Sequence, residues 1–367
     1  MKIVFTTLAT ALLTTAVWAQ TKQTDSLLQK EIALNEVFVS ALRATKAMGV
    51  SFSNVKAEDF EARNLGQDLP ILLQYLPGVV TTSDAGAGIG YTGIRVRGSD
   101  ATRVNVTING IPYNDPESQG TFWVNLPDFG SSVSSVQLQR GVGTSTNGAG
   151  AFGASLNIST KDAVPEASAQ IRSAVGSFNT LNNSVQFNTG LLNNYFSLSG
   201  RLSRIVSDGY IDRASARLSS YFLQGTYQKG STILKGLLFG GHEVTYQAWN
   251  GIDAQTLNEN RRFNPSGMYT DANGLMQFHD KEEDNYKQDH AQLHWNEVLG
   301  SLGKTDLTFS TTGNIQGNAI SSNIGGATAL SFSGPDFSGV IDLLQTQGNV
   351  QVLSSPRITA TNNQKAV

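Results

Sequence analysis

The sequence predicts an α+β domain at residues 42–161, an incomplete antiparallel transmembrane β-barrel at residues 165–308 and a short α+β segment at residues 315–367. Three observations predict this arrangement. The chain begins with an export signal. The first domain combines a helical stretch with short alternating strands. From about residue 167, polar and apolar residues alternate in short segments separated by Asn and Gly turns.

Residues 1–19 have the organisation of a cleaved signal peptide. Lys2 supplies the positive charge, the run from Ile3 to Val17 is apolar or small apart from Thr, and Ala19 places a small residue at the cleavage site. An N-terminal anchor helix is the alternative, but the apolar run is shorter than the ~20 residues that span a bilayer. We therefore expect export and cleavage after Ala19. No later segment has the composition of a membrane-spanning helix, so a membrane form of the chain would be a β-barrel.

Composition excludes several classes of function. The 26 basic and 29 acidic side chains give a net charge of −3 without any basic block, so the chain lacks the electrostatic signature of a nucleic-acid-binding protein. With no Cys, it has no disulfides, no thiolate chemistry and no Cys-based zinc site. Its 367 residues are enough for two or three domains.

Residues 20–41 precede the first domain. Residues 20–32 are polar without an apolar period, which is typical of a flexible tail. Residues 34–41 then alternate between apolar and polar side chains, as a strand does.

The first domain is predicted to begin with a helix over residues 59–75. Apolar residues recur there three or four positions apart, and Pro77-Gly78 ends the pattern. The spacing is carried by Leu65, Leu69, Leu72, Leu73 and Leu76.

Two strands are predicted after this helix. In the first, Ile94 and Val96 alternate with two arginines, which predicts one face on the core and one cationic face in water. The second strand, at residues 104–108, ends at Asn109-Gly110, the dipeptide that best tolerates a type I′ hairpin turn.

Residues 165–308 alternate with a period of two. Val185 and Phe187 alternate with Ser184 and Gln186, as expected for strands that are apolar outward and polar inward. A soluble β-sandwich would alternate in the same way, but the export signal and the preceding domain favour the barrel. The length allows about six to eight strands, fewer than the 22 of plugged outer-membrane transporters.

A different pattern is predicted near the C-terminus. Phe337, Val340, Ile341 and Leu344 have the spacing of an amphipathic helix, and Gly348-Asn349 would end it. Two short strands at residues 350–353 and 357–361 follow in the prediction.

Four blocks in the first domain resemble, in their order, the plug domain of TonB-dependent outer-membrane receptors. They are Leu-Pro-Gly-Val at 76–79, Ile-Arg-Val-Arg-Gly at 94–98, Val-Thr-Ile-Asn-Gly-Ile-Pro-Tyr at 106–113 and Gln-Arg-Gly-Val-Gly at 139–143. The resemblance continues to about residue 307. It implies a plug domain at residues 42–161 that closes a barrel in the cell outer membrane, energised uptake of a scarce ligand such as a ferric siderophore, no catalysis and no cofactor.

The resemblance also implies a contact with the energising partner. Residues 34–41 resemble the TonB box, which pairs as an added strand with the periplasmic domain of TonB. The alternative is that these residues begin the sheet of the plug. The implied contact residues are Leu34, Glu36, Val37, Phe38 and Val39.

The resemblance also implies roles for two groups of plug residues. Four arginines would contact the barrel wall, or else lie at solvated sheet edges. Four aromatic residues in or beside two flexible loops would face the ligand, or else pack in the plug core. The arginines are Arg95, Arg97, Arg103 and Arg140, and the aromatic residues are Tyr91, Tyr113, Phe122 and Trp123.

The last residues resemble a second family. The run at residues 350–357 with residues 362–366 resembles the opening of the secretin core, the oligomeric outer-membrane channel of type II secretion and type IV pilus systems. A secretin subunit is therefore the alternative function. Together the two resemblances predict a fusion of two incomplete outer-membrane proteins, with a seam between about residues 305 and 330.

Two short motifs have both a chemical and a structural interpretation. Residues 148–153 match G-x-G-x-x-G, but a strand-like segment follows instead of a helix, so the glycines are interpreted as turns and not as a nucleotide site. His290 and His294 are four apart, as in helical zinc pairs, yet Ala291, Leu293 and Trp295 alternate with them as in a strand. No metal site is predicted. No G-x-S-x-G nucleophile motif occurs, so an enzyme is not predicted either.

Overall fold

The computed structural model describes residues 43–142, 151–230 and 232–298, together with the backbone of three further strands at residues 304–313, 327–333 and 338–344. These residues form two main sheets, one of five strands and one of nine. We call residues 43–161 the N-terminal domain and the larger sheet the second sheet. The predicted signal peptide and residues 34–41 lie outside the described residues.

The N-terminal domain contains two short helices and seven strands within its described residues. The main sheet has the order β1-β6-β7-β4-β5, in which β4 and β7 are parallel and the other pairs are antiparallel, while β2 pairs only with β3. The elements are β1 Ser51–Lys56, α1 Ala57–Glu61, α2 Leu69–Leu73, β2 Val79–Ser83, β3 Thr92–Val96, β4 Val104–Ile108, β5 Ile111–Pro112, β6 Val133–Arg140 and β7 Ala154–Thr160.

The second sheet is antiparallel throughout. Its order is β18-β17-β16-β15-β12-β11-β10-β9-β8, so each strand follows its neighbour except where β13 and β14 form a separate hairpin. The strands are β8 Ala167–Gly176, β9 Thr180–Thr189, β10 Phe196–Ser207, β11 Ala216–Lys229, β12 Thr232–Tyr246, β13 Met268–Thr270, β14 Met276–Phe278, β15 Glu283–Val298, β16 Lys304–Gly313, β17 Ala327–Ser333 and β18 Ser338–Leu344; helix α3 spans Ala254–Glu259. Seven of the sheet strands fall within residues 165–313, in agreement with the predicted six to eight.

The single helix predicted over residues 59–75 is wrong. The chain forms α1 and α2 instead, and Gly66 between them has φ 103°, a conformation that no α-helix contains. Pro70 lies in the first turn of α2, where its missing N–H leaves no helical bond unmade. The spacing therefore holds for Leu69, Leu72 and Leu73, which are buried, and fails for Leu65, which is 55% exposed. Among the described residues, no helix combines the length and apolarity needed to cross a membrane.

The two strands predicted after the helix are confirmed. Ile94 and Val96 are buried in β3, and β4 ends at Asn109-Gly110, whose φ angles are 52° and 84°. Ile108 pairs with Ile111 across this two-residue turn. Positive φ at both central positions is the geometry of a type I′ turn, which explains the dipeptide.

The second sheet is apolar outward and polar inward, as predicted. Val185 and Phe187 are 49% and 42% exposed, whereas Ser184 is 2% exposed. His290 and His294 are buried on β15, and Leu293 between them is 51% exposed. An exposed apolar face opposite a buried polar face is the reverse of a soluble sheet, so the outward face suits an apolar solvent.

The connections at the two ends of the second sheet differ in length. At one end β11 and β12 are separated by two residues, from Lys229 to Thr232, and residues 190–195 join β9 to β10. At the other end residues 208–215 and residues 247–282 join the strands, although β8 and β9 are joined there by only three residues, 177–179. We call these the short-turn end and the long-loop end.

The predicted C-terminal helix is wrong. Residues 338–344 form β18, which pairs with β17 so that Val340 lies opposite Ser331. Cross-strand pairing satisfies the backbone here, and the adjacent Val340 and Ile341 suit a strand better than a helix. The second sheet therefore continues through β16, β17 and β18 across the proposed seam, which gives no support to a separate secretin-like segment. The strands predicted at residues 350–361 lie outside the described residues.

Candidate functional site

The candidate site is the interface between the N-terminal domain and the polar face of the second sheet. The hydrophobic core itself extends across this interface, because Phe129 of the N-terminal domain packs at 6.4 Å from Phe222 and 5.5 Å from Phe239 between ring centroids. Around this apolar centre, polar contacts occur in three groups, one towards each end and one in the middle.

At the long-loop end, Tyr91 connects the N-terminal domain to two strands. Its hydroxyl lies 3.2 Å from a carboxylate oxygen of Glu243 on β12 and within hydrogen-bonding distance of Asp284 on β15. Its ring meets Trp249 edge to face at 5.2 Å. Burial, followed by the hydrogen bond to Asp284, raises the pKa of Tyr91, so the hydroxyl keeps its proton as a donor.

A second tyrosine makes a similar contact nearby. The hydroxyl of Tyr113 donates to Gln288 at 3.3 Å, and its ring lies 5.2 Å from that of His290. Burial raises the pKa of Tyr113. The turn residue Asn109 adds a contact to the same strand, since its amide donates to Gln292 at 3.3 Å.

The loop after β2 is also attached to a loop of the second sheet. The carbonyl oxygen of Ala85 accepts backbone hydrogen bonds from Tyr210 at 2.8 Å and from Ile211 at 3.2 Å. Gly86 has φ 71°, and a Cβ there would lie 3.1 Å from Tyr210. Only glycine fits this approach without strain.

A buried ion pair lies in the middle of the interface. Asp128 and Arg201 approach to 3.1 Å, with side chains 1% and 3% exposed. Arg201 also donates through Nε to Ser132 at 2.9 Å and through Nη1 to Ser220 at 3.1 Å, and Ser131 donates to Asp128 at 2.6 Å. Such a pair is costly to break from one side, by about 3–5 kcal/mol, because an uncompensated charge remains buried.

Further polar contacts lie towards the short-turn end. Thr160 donates to Gln224 at 3.0 Å, and Gln224 donates to the backbone oxygen of Lys161 at 2.7 Å. Lys235 and Asp162 are 3.4 Å apart. Together the three groups attach the domain to strands β10, β11, β12 and β15.

Within the N-terminal domain, the start of the described chain is attached to β6. The amide of Gln137 accepts from the backbone N–H of Ala44 at 2.6 Å and donates to the backbone oxygen of the same residue at 3.0 Å. Arg43 donates to Ser135 at 2.9 Å and to Ser159 at 2.8 Å.

The four aromatic residues predicted to face a ligand occupy different environments. Tyr91 and Tyr113 contact the second sheet, as described above. Phe122 is 44% exposed, whereas Trp123 is 2% exposed and belongs to the hydrophobic core. For Trp123 the structure therefore agrees with the alternative of core packing.

Three of the four arginines predicted to contact the sheet have their observed partners within the N-terminal domain. Arg97 donates to Ser51 at 3.3 Å, Arg140 donates to Pro77 and Ser53 at 2.8 Å each, and Arg103 lies over the ring of Phe152. Arg95 is exposed. In the described part of the chain none of the four bonds to the second sheet, so that role stays a prediction.

Sequence reasoning missed the residues that make the central contact. Arg201 occupies a buried, inward position of β10, next to the exposed Leu202. A cation on the inward face of a strand requires a partner. That requirement was a usable signal for Arg201. Nothing in the sequence around Asp128 distinguishes it as that partner, because the pairing depends on the tertiary structure.

The glycine motif is followed by a strand, and His290 and His294 lie in a strand, as the structural interpretation of each predicts. Strand β7 follows Gly153, so the G-x-G-x-x-G pattern lacks the helix that a dinucleotide site needs. In the described residues no group of three or more His, Cys, Asp or Glu side chains is arranged to hold a metal ion. Leu34, Glu36, Val37, Phe38 and Val39 lie outside the described residues, and their role stays a prediction.

Comparisons with known proteins agree with this architecture. Residues 44–155 match the family profile described as TonB-dependent Receptor Plug Domain. No curated protein sequence matches the chain.

Solved structures resemble the chain over most of its length. The Pseudomonas aeruginosa protein FpvA, in complex with a pyoverdine and iron, superposes with a TM-score of 0.57 at 12% identity, covering 77% of this chain and 39% of FpvA. The ferric-catecholate import receptor Fiu from Escherichia coli K12 gives 0.55 at 13% identity, covering 78% and 39%. The siderophore receptor PirA from Acinetobacter baumannii gives 0.51 at 17% identity, covering 77% and 44%. The chain thus spans about two fifths of the length of these structures and shares their fold.

Proposed function

We propose that this protein is a TonB-dependent outer-membrane receptor that takes up a scarce ligand such as a ferric siderophore. The observation that carries the proposal is the second sheet, whose polar face is turned to a plug-like domain and whose apolar face is turned outward. A plug that lies against a polar inner wall suits a transporter that is closed at rest. The proposed process moves a ligand and involves no reaction chemistry.

The outward face of the second sheet supports a location in the outer membrane. Ile171 and Val175 on β8 are 79% and 81% exposed, an arrangement that water disfavours and lipid tails favour. Exposed aromatic rings lie near the short-turn end, where Phe196 is paired with Tyr227, and Trp295 lies at the same level two strands beyond Tyr227. Aromatic girdles of this kind mark the interface of a bilayer.

The unequal connections support an orientation in that membrane. Outer-membrane barrels have short periplasmic turns and long extracellular loops. The short-turn end is therefore assigned to the periplasm, and the loops at residues 208–215 and 247–282 are assigned to the outside. Tyr91, Tyr113 and Phe122 would then meet a ligand that enters between these loops.

The plug is proposed to stay in place through its contacts with the wall until force is applied. The Asp128–Arg201 pair and the tyrosine contacts hold the closed state. The TonB periplasmic domain would bind residues 34–39 and pull on the chain, which begins its described part at Arg43 beside β6. The ligand class rests on the similar structures, which include a siderophore receptor and a ferric-catecholate import receptor.

Ligand binding is the direct test of this proposal. The detergent-solubilised chain is titrated with a panel of ferric siderophores while tryptophan fluorescence is recorded. Trp249 is 45% exposed beside Tyr91 and is expected to report binding, so Trp249→Phe should lose most of the quenching. Trp295→Phe, on the outward face, is the matched control and should keep it. If no siderophore in the panel binds, or if the two variants respond alike, the proposed ligand class or the proposed site is wrong.

A further inference from the structure

A cavity lies between the N-terminal domain and strands β8, β9 and β10, nearer the short-turn end than the tyrosine contacts. Its volume is about 530 Å³, which is large enough for a small organic molecule. The N-terminal domain contributes Ser132 and Ser134, and the strands contribute Gln186, Ser199 and Arg201. Hydroxyl, amide and cationic groups therefore dominate the polar part of its wall.

Arg201 lines this cavity and has one donor atom without a hydrogen-bond partner among the described residues. Its Nε and Nη1 atoms make all of its hydrogen bonds, to Ser132, Ser220, Asp128 and the carbonyl of Pro127. Within the described residues Nη2 has no hydrogen-bond partner. The guanidinium is held rigidly by its other contacts, so this donor is fixed in direction before anything binds.

Two further donors in the cavity wall lack partners. The side-chain amide nitrogen of Gln186 is buried without a hydrogen bond in the described structure. The ammonium group of Lys161 likewise makes no ion pair or hydrogen bond with any described residue, although Lys161 is only partly exposed. A buried donor without a partner is disfavoured, and the amide nitrogen of Gln186 shares the cavity with the unpaired donors of Arg201 and Lys161, so an acceptor bound there would satisfy all three.

The charges around the cavity leave one cation uncompensated. Arg201 is paired with Asp128, and Asp162 is paired with Lys235. Lys56 and Glu58, which also line the cavity, carry opposite charges. Glu61 and Arg172, whose charges also act on Lys161, pair with each other at 3.2 Å, so the remaining charge is that of Lys161. Burial lowers the pKa of Lys161, and a bound anion would reverse this shift by stabilising the ammonium form.

We propose that this cavity is an oxyanion site that takes a phosphate or carboxylate group between the ammonium of Lys161, the amide of Gln186 and Nη2 of Arg201. The anion connects the N-terminal domain, which carries Lys161, to the second sheet, which carries Gln186 and Arg201. Binding therefore stabilises the attachment of the two parts. The site is separate from the loops that contact the proposed uptake ligand, and it does not depend on transport.

Phosphate binding to the detergent-solubilised full chain tests the proposal. Inorganic phosphate is titrated at pH 7 and followed by the line width of its phosphorus NMR signal. Lys161→Gln is expected to weaken binding by about tenfold to a hundredfold, the effect of losing a charge-assisted hydrogen bond. Gln186→Met, which keeps an unbranched side chain of similar length without the amide, is expected to weaken it less. Lys229→Gln is the matched control, because Lys229 is exposed at the same end of the sheet and its ammonium lies over the ring of Tyr195, away from the cavity lining.

Two results with phosphate would overturn the proposal, and a third would show an effect of net charge alone. Equal phosphate affinity for Lys161→Gln and the unmodified chain, or no binding by the unmodified chain at about 20 mM phosphate, overturns the proposal. Equal weakening by Lys229→Gln also overturns it, since the effect would then be one of net charge. Circular dichroism of each variant controls for folding. The source of the anion follows from reconstitution in lipid: if phosphatidylglycerol vesicles, but not phosphatidylcholine vesicles, abolish binding of free phosphate, a lipid headgroup occupies the site.

Discussion

At the scale of single residues, Asp128 and Arg201 form the most deeply buried ion pair in the described part of the chain. Both side chains are at least 97% buried, so each charge depends on the other for compensation. Replacing either residue alone leaves a buried charge or an unsatisfied guanidinium, whereas replacing both removes the requirement.

This dependence makes a clear prediction for stability. Asp128→Asn and Arg201→Met are each expected to lower the free energy of unfolding by about 3–5 kcal/mol, and the double variant is expected to lose less than the sum of the two. Chemical denaturation in detergent measures both quantities. Arg217→Met is the control, because Arg217 pairs with Glu283 at an exposed position, where an ion pair contributes about 0–1 kcal/mol. Additive losses in the double variant would contradict a direct coupling.

A second residue-scale prediction concerns Asp68. Burial raises the pKa of its carboxyl group to about 8, although the hydrogen bond from Thr92 opposes the shift and the charge of Glu243 adds to it. The folded state therefore holds a proton that the unfolded state releases above about pH 4. Stability is greatest below that pH and falls as the pH rises towards 8, where the folded state also begins to lose its proton.

Unfolding measurements between pH 4 and pH 9 test this dependence. The unfolding equilibrium constant is expected to rise by up to about tenfold per pH unit within that window. Asp68→Asn, which keeps the shape of the side chain without a titrating group, should flatten the profile and be more stable than the unmodified chain at pH 9. Asp253→Asn, at an exposed helix cap, should leave the profile unchanged. A flat profile for the unmodified chain would contradict the prediction.

At the scale of elements, the sequence was a good guide wherever one local signal decided the structure. Asn109-Gly110 specified its turn, and the period of two specified the faces of β9 and β15, because both signals act within a few residues. The helix predictions for residues 59–75 and 337–344 were wrong for the opposite reason. Their three-or-four spacing was real, but Gly66 divided the first segment and pairing with β17 determined the second. The contact of Asp128 with Arg201 joins positions 73 residues apart, which no local pattern encodes.

The proposed strand addition by residues 34–39 gives a prediction at this scale. Proline at Val37 or Val39 removes a backbone donor from the added strand and is expected to abolish binding to the periplasmic domain of TonB. Val37→Thr keeps the donor and should weaken binding only slightly. Calorimetry with synthetic peptides of residues 30–45 measures all three. Equal binding by the proline and threonine peptides, or none by the unmodified peptide, would leave the segment as a possible first strand of the plug.

At the scale of the whole molecule, the two faces of the second sheet require two solvents. Leu202, at 66% exposure, and Trp295, at 47%, lie on the outward face, while the buried face consists largely of hydroxyl, amide and charged groups. The N-terminal domain has no such requirement, because most of its apolar side chains are in its own core.

We therefore expect the two parts to behave differently when expressed. Residues 20–161 should be soluble and compact in buffer, whereas residues 20–367 should require detergent or lipid. Size-exclusion chromatography with and without detergent measures the difference. Removal of the second sheet exposes Phe129, so the isolated domain should also unfold at a lower denaturant concentration than in the full chain. A monodisperse full chain in detergent-free buffer would contradict the proposed membrane location.

The attachment of Ala44 to Gln137 determines how a pulling force would enter the plug. Both backbone groups of Ala44 are tied to one side chain, and β1 follows at Ser51 as the edge strand beside β6. Tension applied from the N-terminus would load the contacts of Arg43 and Ala44 first and would then separate β1 from β6 pair by pair. The two hydrogen bonds between Gln137 and Ala44 would then set the force at which the N-terminal domain begins to unfold. Single-molecule pulling from the N-terminus should show a lower first rupture force for Gln137→Ala than for the unmodified chain, and an unchanged force would place the threshold elsewhere.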